Sequence, residues 1–402
     1  MYLHQSLRAF FRRFISSNRI VFLMLLFAFR SSIAATPLTV PMQSDHWITN
    51  GNAVFTSDEH HSSRVLDVSK GLVTVKDVIF SDGTIEFDMY MPDHGILGMR
   101  LRAQDRDNAE AVYFRPQKDC ATSLDCMQYM PLEHGAFEWD LFPEYQAPAP
   151  LRLLDWNHLR VVVKGRSLQV FVNHSAIPTL NVDHMEGKAL SGSLMFAGTA
   201  KYANLVITPA PPAPAPAPAP APGAMTAADG FLRHWQISAA SVLPSTIDPA
   251  LNAPMGVQPA IASMPLDGDA WRHVTAQNKG LVNFSHEIGS AKDASVISMA
   301  WAKTTLVSEK AQSKTVQIGF VREVWVYVNG TLAFSGRNVD GLPAGNVDGQ
   351  RISLNNGTFQ LNLKKGSNEI AIALDDNLPG NSQHFGWGMQ VKLRNLTGLL
   401  PQ

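Results

Sequence analysis

Apolar and polar residues alternate with a period of two along much of the chain, which is the pattern of β-strands that bury one face. The clearest stretch is Thr84–Met91, where every second residue is apolar and Glu86, Asp88 and Tyr90 lie between them. No long segment in this half of the chain keeps a helical period. Further strands of the same half are predicted over Leu97–Leu101, Val112–Phe114, Leu159–Val163 and Leu168–Val172.

The second half of the chain repeats this pattern. Glu323–Val328 and Leu332–Phe334 flank Asn329-Gly330, which is a strong hairpin signal. The other strands predicted there are Thr315–Phe320, Phe359–Leu363, Glu369–Leu374 and Gly388–Leu393. Many short strands with regular turns predict an all-β protein with two antiparallel β-sandwich (jelly-roll) domains, at residues 42–207 and 229–398.

A proline-alanine alternation, residues 208–225, separates the two halves. Proline lacks the N–H that helix interiors and sheet ladders need, so this stretch is expected to form a polyproline II linker. At roughly 3.1 Å per residue, Pro209–Pro222 would reach about 43 Å. Cutting the linker is therefore expected to release two independently folded domains.

Residues 1–35 have the features of a signal peptide. Arg8, Arg12, Arg13 and Arg19 precede an apolar run of ten residues, Ile20–Phe29, which is too short to span a bilayer. Small residues near Ala35 offer a cleavage site, although an uncleaved anchor is the alternative. We therefore expect a periplasmic or secreted protein with no membrane span after cleavage.

The charge of the chain excludes some partners. Lys and Arg number 33 against 34 Asp and Glu, and no basic run follows the leader, so neither nucleic acid nor an anionic membrane is an expected partner. A neutral ligand suits this composition better. The only cysteines, Cys120 and Cys126, are six positions apart in a polar loop, where a disulfide is expected outside the cytoplasm and a zinc site is not.

Several segments of the first half resemble a known superfamily. They are Phe80–Pro116, Gln128–Pro131, Trp139, Trp156–Arg160 and Gly192–Phe196. Together they are similar to concanavalin A-like lectin/glucanase domains, in particular to bacterial exported laminin-G-like modules and 3-keto-glycoside hydrolase domains. In the second half, Trp325–Gly330, Gly366–Ile370 and Gly386–Gly388 resemble a galactose-binding-like jelly roll. Both folds include binding modules and enzymes, so the resemblance implies a sugar ligand more than an activity.

The strand alternation also predicts a polar face. If the apolar residues of three successive strands face the core, their polar residues share the opposite face. Carboxylates and guanidinium groups on such a face can bind sugar hydroxyls, and aromatic rings can stack on sugars, although the same charges could simply solvate an exposed sheet. The face would comprise Glu86, Asp88, Tyr90, Arg100, Arg102, Tyr113 and Arg115.

Ligand-binding candidates in the first domain are Arg102, Tyr113, Arg115, Gln128 and Tyr129. The disulfide loop would hold a rim beside Arg115. Trp139 and Trp156 are expected in the core, and His60-His61 in an exposed loop.

Glu86 and Asp88 are the catalytic candidates, because glucanases of the resembling superfamily carry the pattern E-x-D-x-x-E. In this chain Met91 occupies the position of the last acidic residue of the pattern, so the residue that would donate a proton is missing. An acid-base pair of Asp88 with Asp105, Asp107 or Glu110 from an adjacent strand is the alternative.

In the second domain, loops at one end of the sandwich predict a further ligand site. Its candidates are Asp376, Asn377, His384 and Trp387, with a structural role as the alternative for Trp387. Asp375 and Asp376 could instead hold a structural calcium ion. No other metal and no cofactor is expected.

These observations favour an exported carbohydrate-binding protein that recognises a glycan or glycoconjugate without turnover. The alternatives are a glycoside hydrolase or sugar lyase, and a structural or adhesion protein. Two carboxyl groups about 5 to 9.5 Å apart in a cleft would favour the enzyme.

Overall fold

The structure is a computed structural model that describes residues 36–211, 229–266, 270–289, 296–339, 350–376 and 385–400. The predicted signal peptide and most of the predicted linker lie outside these residues. Among the described residues, no helix is long and apolar enough to cross a membrane.

The first module, residues 36–211, contains two antiparallel sheets. Sheet I has the strand order β14-β13-β12-β6-β16-β4-β3, with β1 beside β16, and sheet II has the order β10-β9-β8-β7-β15-β5-β2, with β11 beside β9. The strands are β1 Leu38–Thr39, β2 Trp47–Ile48, β3 Ala53–Asp58, β4 His61–Val68, β5 Leu72–Val75, β6 Asp82–Met91, β7 Leu97–Ala103, β8 Ala109–Phe114, β9 Met127–Glu133, β10 Ala136–Phe137, β11 Gln146–Ala147, β12 Asp155–Lys164, β13 Ser167–Val172, β14 Leu180–Val182, β15 Ser193–Ala197 and β16 Ala200–Ala210.

The second module, residues 229–400, is also built from antiparallel strands. Sheet III has the order β21-β17-β23-β28-β25-β26, with β18 and β30 beside β23; sheet IV has the order β22-β29-β24-β27; β19 and β20 form a separate pair. The elements are β17 His234–Ser238, β18 Ser241–Leu243, β19 Ser245–Asp248, β20 Ala253–Gly256, β21 Trp271–Thr275, β22 Leu281–Asn283, α1 Phe284–Ile288, β23 Ile297–Ser308, β24 Gln312–Phe320, β25 Arg322–Val328, β26 Thr331–Asn338, β27 Gly357–Leu363, β28 Gly366–Asp375, β29 Gly388–Leu393 and β30 Leu399–Leu400. Short 3-10 turns occupy Ser44–His46, Leu124–Cys126, Pro143–Tyr145, Ile261–Ser263 and Asn278–Gly280.

The period-two alternation correctly predicts the strands and the all-β class. Along β6 the apolar residues Ile85, Phe87 and Met89 are buried, whereas the polar residues between them are half-buried. The predicted hairpin at Asn329-Gly330 joins β25 to β26, and Leu159 pairs with Val172 in the hairpin of β12 and β13.

The expectation that one polar face extends from Glu86 to Arg115 is wrong. Strand β6 lies in sheet I, between β12 and β16, while β7 and β8 lie in sheet II. The segment after β6 therefore crosses between the sheets, and Asp88 does not pair with a strand that carries Asp105, Asp107 or Glu110. The alternation shows which residues share a face of one strand, but not which strands are neighbours.

The two modules share a buried junction. A single apolar cluster contains side chains from all four large sheets, for example Phe87, Phe196, Ile372 and Val391. Backbone hydrogen bonds cross the junction as well, from the Ile352 N–H to the Asp140 carbonyl at 2.8 Å and from the Gly386 N–H to the Phe137 carbonyl at 3.2 Å. The described residues of the two modules accordingly form one compact unit.

This junction changes the expected result of cutting the chain between Pro211 and Asp229. We now expect the two pieces to stay associated, because separating them would expose part of one continuous core and several buried polar groups. Gel filtration of the nicked protein should give one peak at the elution volume of the intact chain. Two separate peaks, each from a folded piece, would instead support independent domains.

Candidate functional site

A cluster of rings and carboxylates lies on the outer side of sheet I. Strands β12 and β6 pair so that Trp156 is opposite Tyr90, His158 is opposite Asp88, and Arg160 is opposite Glu86. We call this surface the sheet I face. It comprises His61, Glu86, Asp88, Tyr90, Trp156, His158, His174 and Asn204.

His158 lies between the two carboxylates of this face. Its Nδ1 is 2.8 Å from an Asp88 oxygen, and its Nε2 is 3.7 Å from a Glu86 oxygen. The hydrogen bond with Asp88 raises the pKa of His158, because the negative charge favours the imidazolium. The ring of His174 stacks on His158 with ring centres 4.2 Å apart. The face therefore combines positive and negative groups at hydrogen-bonding distance.

Asp88 is held ionised by its neighbours. Burial disfavours its charged form, but hydrogen bonds from His158 and from the Asn204 amide, at 2.8 Å, outweigh burial and lower the pKa of Asp88. Asn204 reaches Asp88 because β16 bulges between Ala203 and Val206, where Asn204 adopts a left-handed φ of 53°. An ionised Asp88 is suited to accept hydrogen bonds and not to donate a proton.

Two aromatic rings of the face carry buried nitrogen atoms without a partner. The rings of His61 and Trp156 meet edge to face, with their centres 4.2 Å apart. Neither His61 Nε2 nor Trp156 Nε1 has a hydrogen-bond partner among the described residues. Both atoms are closed to solvent, so they are buried hydrogen-bonding groups within the face and not groups that a ligand on its surface can reach.

Sequence reasoning misplaced both of these residues. Trp156 is half-buried on the sheet I face and not in the core, because it belongs to the same alternating set as His158 and Arg160. His61 begins strand β4 and its side chain is only 8% exposed, so it is not part of an exposed loop. The alternation along β12 could have shown that Trp156 lies on the outer face with His158 and Arg160. The sequence contains no comparable sign that β16 pairs with both β4 and β6 and so brings His61 near Asp88.

Most ligand-binding candidates of the first module are buried in sheet II. Arg102 is 1% exposed, and its guanidinium donates hydrogen bonds to Asp82 at 2.8 Å and to the Ser81 carbonyl. Gln128 is fully buried and accepts a hydrogen bond from the Tyr113 hydroxyl at 2.7 Å. Tyr129 is also fully buried. The side chains of Arg102, Tyr113, Gln128 and Tyr129 therefore stabilise the fold and offer little accessible surface to a ligand.

The disulfide loop faces the second module. Cys120 and Cys126 are joined, as predicted. Arg115 is 3.9 Å from Asp125 of this loop, and Asp125 also pairs with Arg351 of the second module. The Arg351 guanidinium lies over the ring of Trp139, 5.1 Å from its centre. Trp139 thus belongs to the junction and not to the core of the first module, and the loop does not form a rim over a sugar-binding face.

In the second module, the structure buries Trp387 completely, and its Nε1 donates to the Gly289 carbonyl at 2.9 Å. Asp375 is buried and accepts a hydrogen bond from the Glu323 N–H at 2.8 Å. The Asp376 N–H donates to the Ser298 carbonyl. Asn377 and His384 lie outside the described residues. Within the described ranges, no group of three His, Cys, Asp or Glu side chains is arranged to hold a metal ion.

A cavity of about 230 Å³ lies at the end of the first module, beside the second module. We call it the junction pocket. Glu110 and Glu133 line it. At its edge, the Lys188 Nζ contacts the His286 carbonyl oxygen, and His134 contacts the Ser285 carbonyl oxygen. It is lined by Gln104, Asn108, Ala109, Glu110, Glu133, His134, Gly187, Lys188 and Ala189.

The two carboxyl groups of this pocket have opposite electrostatic environments. Complete burial raises the pKa of Glu110 to about 7, against the hydrogen bond from Tyr129 and the charges of Arg102 and Arg166. Burial also disfavours the charged form of Glu133, but the nearby His286, 3.2 Å away, and the Lys188 N–H lower the pKa of Glu133 overall. Near neutral pH, Glu110 carries a proton for much of the time and Glu133 does not.

No protein-family model matches the chain, and no curated protein sequence matches it either. Similar solved structures include carbohydrate-binding module CBM66 from Bacillus subtilis, with 13% identity and a TM-score of 0.29, covering 44% of this chain and 98% of that one. The exoplasmic/lumenal domain of VIP36 in a Ca²⁺/Man3GlcNAc-bound form has 13% identity and a TM-score of 0.33, covering 45% and 90%. Caenorhabditis elegans galectin LEC-6 has 13% identity and a TM-score of 0.26, covering 40% and 99%. At these values the likenesses carry no conclusion about ligand or activity.

Proposed function

We propose that this protein binds a carbohydrate, as a glycan or glycoconjugate, on the sheet I face and outside the cytoplasm. The observation that carries the proposal is the accessible polar group of Glu86, an ionised Asp88 and His158, which lies beside the paired rings of Tyr90 and Trp156. Ring hydroxyls of a sugar both donate and accept hydrogen bonds, so they can pair with Glu86, Asp88 and His158 at once. The disulfide supports an oxidising compartment.

The arrangement favours binding over catalysis at this face. Cleavage of a glycoside needs one carboxyl group that carries a proton, and Asp88 is held ionised by His158 and Asn204. The aromatic rings of Tyr90 and Trp156 lie close together on the same face, with centres 5.8 Å apart, and can pack against the apolar side of a pyranose. Specificity would come from Glu86 and His158, whose charges select the orientation of neighbouring hydroxyls.

A glycan array of the purified full chain, followed by titration calorimetry with the best sugar, tests this proposal. Glu86→Ala should weaken binding roughly 10- to 100-fold, because a charge-assisted hydrogen bond is lost. Trp156→Phe leaves a smaller ring beside Tyr90 to pack against the sugar, and should weaken binding about 2- to 10-fold. Both variants should keep the melting behaviour of the parent protein.

Val162→Ala is the matched control. Val162 lies on the same strand as Trp156 and faces the same side, but it is opposite Thr84, two paired positions beyond Arg160 and Glu86. Its replacement should leave the affinity unchanged. If Glu86→Ala and Trp156→Phe bind the sugar as tightly as Val162→Ala, the sheet I face is not the binding site.

A further inference from the structure

We infer that His158 and Glu86 hold one sugar hydroxyl between them, so that binding on the sheet I face takes up a proton and weakens as the pH rises. This inference rests on the proposed sugar binding and adds a regulation by pH to it. Solvent reaches both groups, because the His158 side chain is 25% exposed and the Glu86 side chain is 38% exposed. A ligand on the surface can therefore contact both.

The distance between the two groups leaves room for a hydroxyl. His158 Nε2 and the nearer Glu86 carboxylate oxygen are 3.7 Å apart, which is too long for a direct hydrogen bond. The oxygen of a hydroxyl placed beside this gap can lie about 2.8 Å from both atoms. It accepts a hydrogen bond from the Nε2–H and donates its own hydrogen to Glu86. A sugar hydroxyl thus completes a pair that the protein alone leaves open.

The other nitrogen of the His158 ring is already bonded. Its Nδ1 lies 2.8 Å from an oxygen of Asp88, which is ionised and therefore accepts the Nδ1–H. Asp88 is held in turn by the Asn204 amide, and the His174 ring stacks on His158 with an angle of 16° between the ring planes. These contacts fix the ring. Because Nδ1 keeps its hydrogen, Nε2 is the nitrogen that gains or loses a proton when His158 titrates.

The protonation state of Nε2 decides how well the hydroxyl fits. The imidazolium form of His158 presents an N–H donor beside the Glu86 acceptor, and one hydroxyl satisfies both. The neutral ring presents a lone pair instead, so two acceptors compete for one hydroxyl hydrogen. The hydrogen bond from an imidazolium is also charge-assisted, and hence stronger than one from a neutral donor. The sugar therefore binds better to protonated His158.

Arg160 does not replace His158 as the cation beside Glu86. Arg160 is opposite Glu86 in the strand register, but its guanidinium lies over the ring of Phe171, 3.6 Å from the ring centre. Among the described residues, the ion pair of Glu86 is the one with His158. The charge that faces Glu86 therefore depends on pH, which a guanidinium in the same place would not allow.

Other charged and titratable side chains near His158 come from three further elements. They are His61 on β4, Lys201 on β16 and His174 after β13. His61 is 3.9 Å from Asp88, and Lys201 forms its ion pair with an aspartate of β3. His174 is the one stacked on the His158 ring. His174 is therefore the group whose own titration the test must separate from that of His158.

The direction of the pH dependence follows from the two states of His158. The hydrogen bond with Asp88 raises the pKa of His158 in the free protein. A sugar oxygen that accepts the Nε2–H raises this pKa further. The affinity is therefore highest below the pKa of the free protein, falls as the pH rises through it, and levels off above the pKa of the complex. A difference of about one unit between the two pKa values corresponds to a fall of about tenfold.

Titration calorimetry of the full chain with the best sugar from the glycan array, between pH 6 and pH 9, tests the inference. The affinity of the parent should fall about tenfold over this range. Measurements in phosphate and in Tris near the midpoint should show uptake of part of one proton on binding. His158→Gln keeps an amide N–H near Glu86 but does not titrate. Its affinity should be roughly 3- to 30-fold below the parent at pH 6 and should not change with pH.

His273→Gln is the matched control, since His273 is an exposed histidine on β21 of the second module. This variant and His174→Gln should keep the pH dependence of the parent. A parent affinity that does not change with pH, or a pH dependence that persists in His158→Gln and disappears in His174→Gln, would overturn the inference. The binding proposal would survive either result if Glu86→Ala still weakens binding, whereas absence of sugar binding at every pH would overturn both. The proton uptake of the parent requires no variant, so the test stands even if His158→Gln does not fold.

Discussion

Replacing Arg322 by Met is expected to lower the free energy of unfolding by about 3 to 5 kcal/mol. Arg322 and Asp140 form a buried ion pair across the junction, with 2.6 Å between Nη2 and Oδ2, and both side chains are at most 1% exposed. The Arg322 Nη2 also donates to the Gly386 carbonyl at 3.1 Å. Without the arginine, Asp140 would remain as a charge in the interior with no counter-charge, and that costs more than the pair contributes.

The pH dependence of this loss gives a second readout. Burial raises the pKa of Asp140 even with Arg322 beside it, and removal of Arg322 should raise it further. A buried carboxyl group with a raised pKa destabilises the folded state little while it is protonated. Its destabilising effect grows as the pH rises above the pKa of an ordinary Asp side chain. Urea unfolding at pH 5 and pH 8 should therefore show a larger deficit of Arg322→Met at pH 8.

The double variant Arg322→Met with Asp140→Leu controls for packing. It removes both charges, so it should recover most of the stability that the single variant loses. Arg322 has a left-handed φ of 71°, and Met keeps a long unbranched side chain at this position. If Arg322→Met lowers the free energy of unfolding by less than about 1 kcal/mol, the junction is exposed to water in solution.

Glu110 is expected to make the folded state less stable as the pH rises. Its pKa is raised from 4.5 to about 7 in the folded state, so the folded protein keeps a proton that the unfolded chain releases. The stabilisation of the protonated form is complete below about pH 4.5 and is lost as the pH rises to about 7. The total change is about 3 kcal/mol.

Glu110→Gln isolates this effect. Glutamine keeps the shape of the side chain and an acceptor for the Tyr129 hydroxyl, but it does not titrate. The difference in unfolding free energy between the variant and the parent, followed by urea unfolding from pH 4 to pH 8, should change by about 3 kcal/mol in favour of the variant. A difference that is independent of pH would show that the pKa of Glu110 is the same in the folded and unfolded states, and would contradict its elevation by burial.

The fold class was predictable because alternation is a local property. The residues of β6 and of the hairpin at Asn329-Gly330 show their strand character within ten positions. Which strands are neighbours depends on contacts far apart in sequence, and the expected polar face failed for that reason: β6 pairs with β12 and β16, not with β7.

The candidate sites were predictable only in part. Glu86 and Asp88 were recognised as a pair, but their partners come from other strands, His158 from β12 and Asn204 from a bulge in β16. The junction could not be predicted from the sequence for a different reason. A proline-alanine linker suggests separated domains, but the composition of a linker does not show whether the two domains that it joins pack against each other. Glu110 and Glu133 acquire their opposite protonation tendencies from burial and from His286, neither of which is readable from their positions in the sequence.

The most direct test of the carbohydrate-binding account is a crystal structure of the full chain with the best sugar from the glycan array. The account predicts electron density for the sugar on the sheet I face, with hydroxyl groups within hydrogen-bonding distance of Glu86, Asp88 and His158. Density for the sugar elsewhere, with these three groups unchanged and bound only to water, would contradict it.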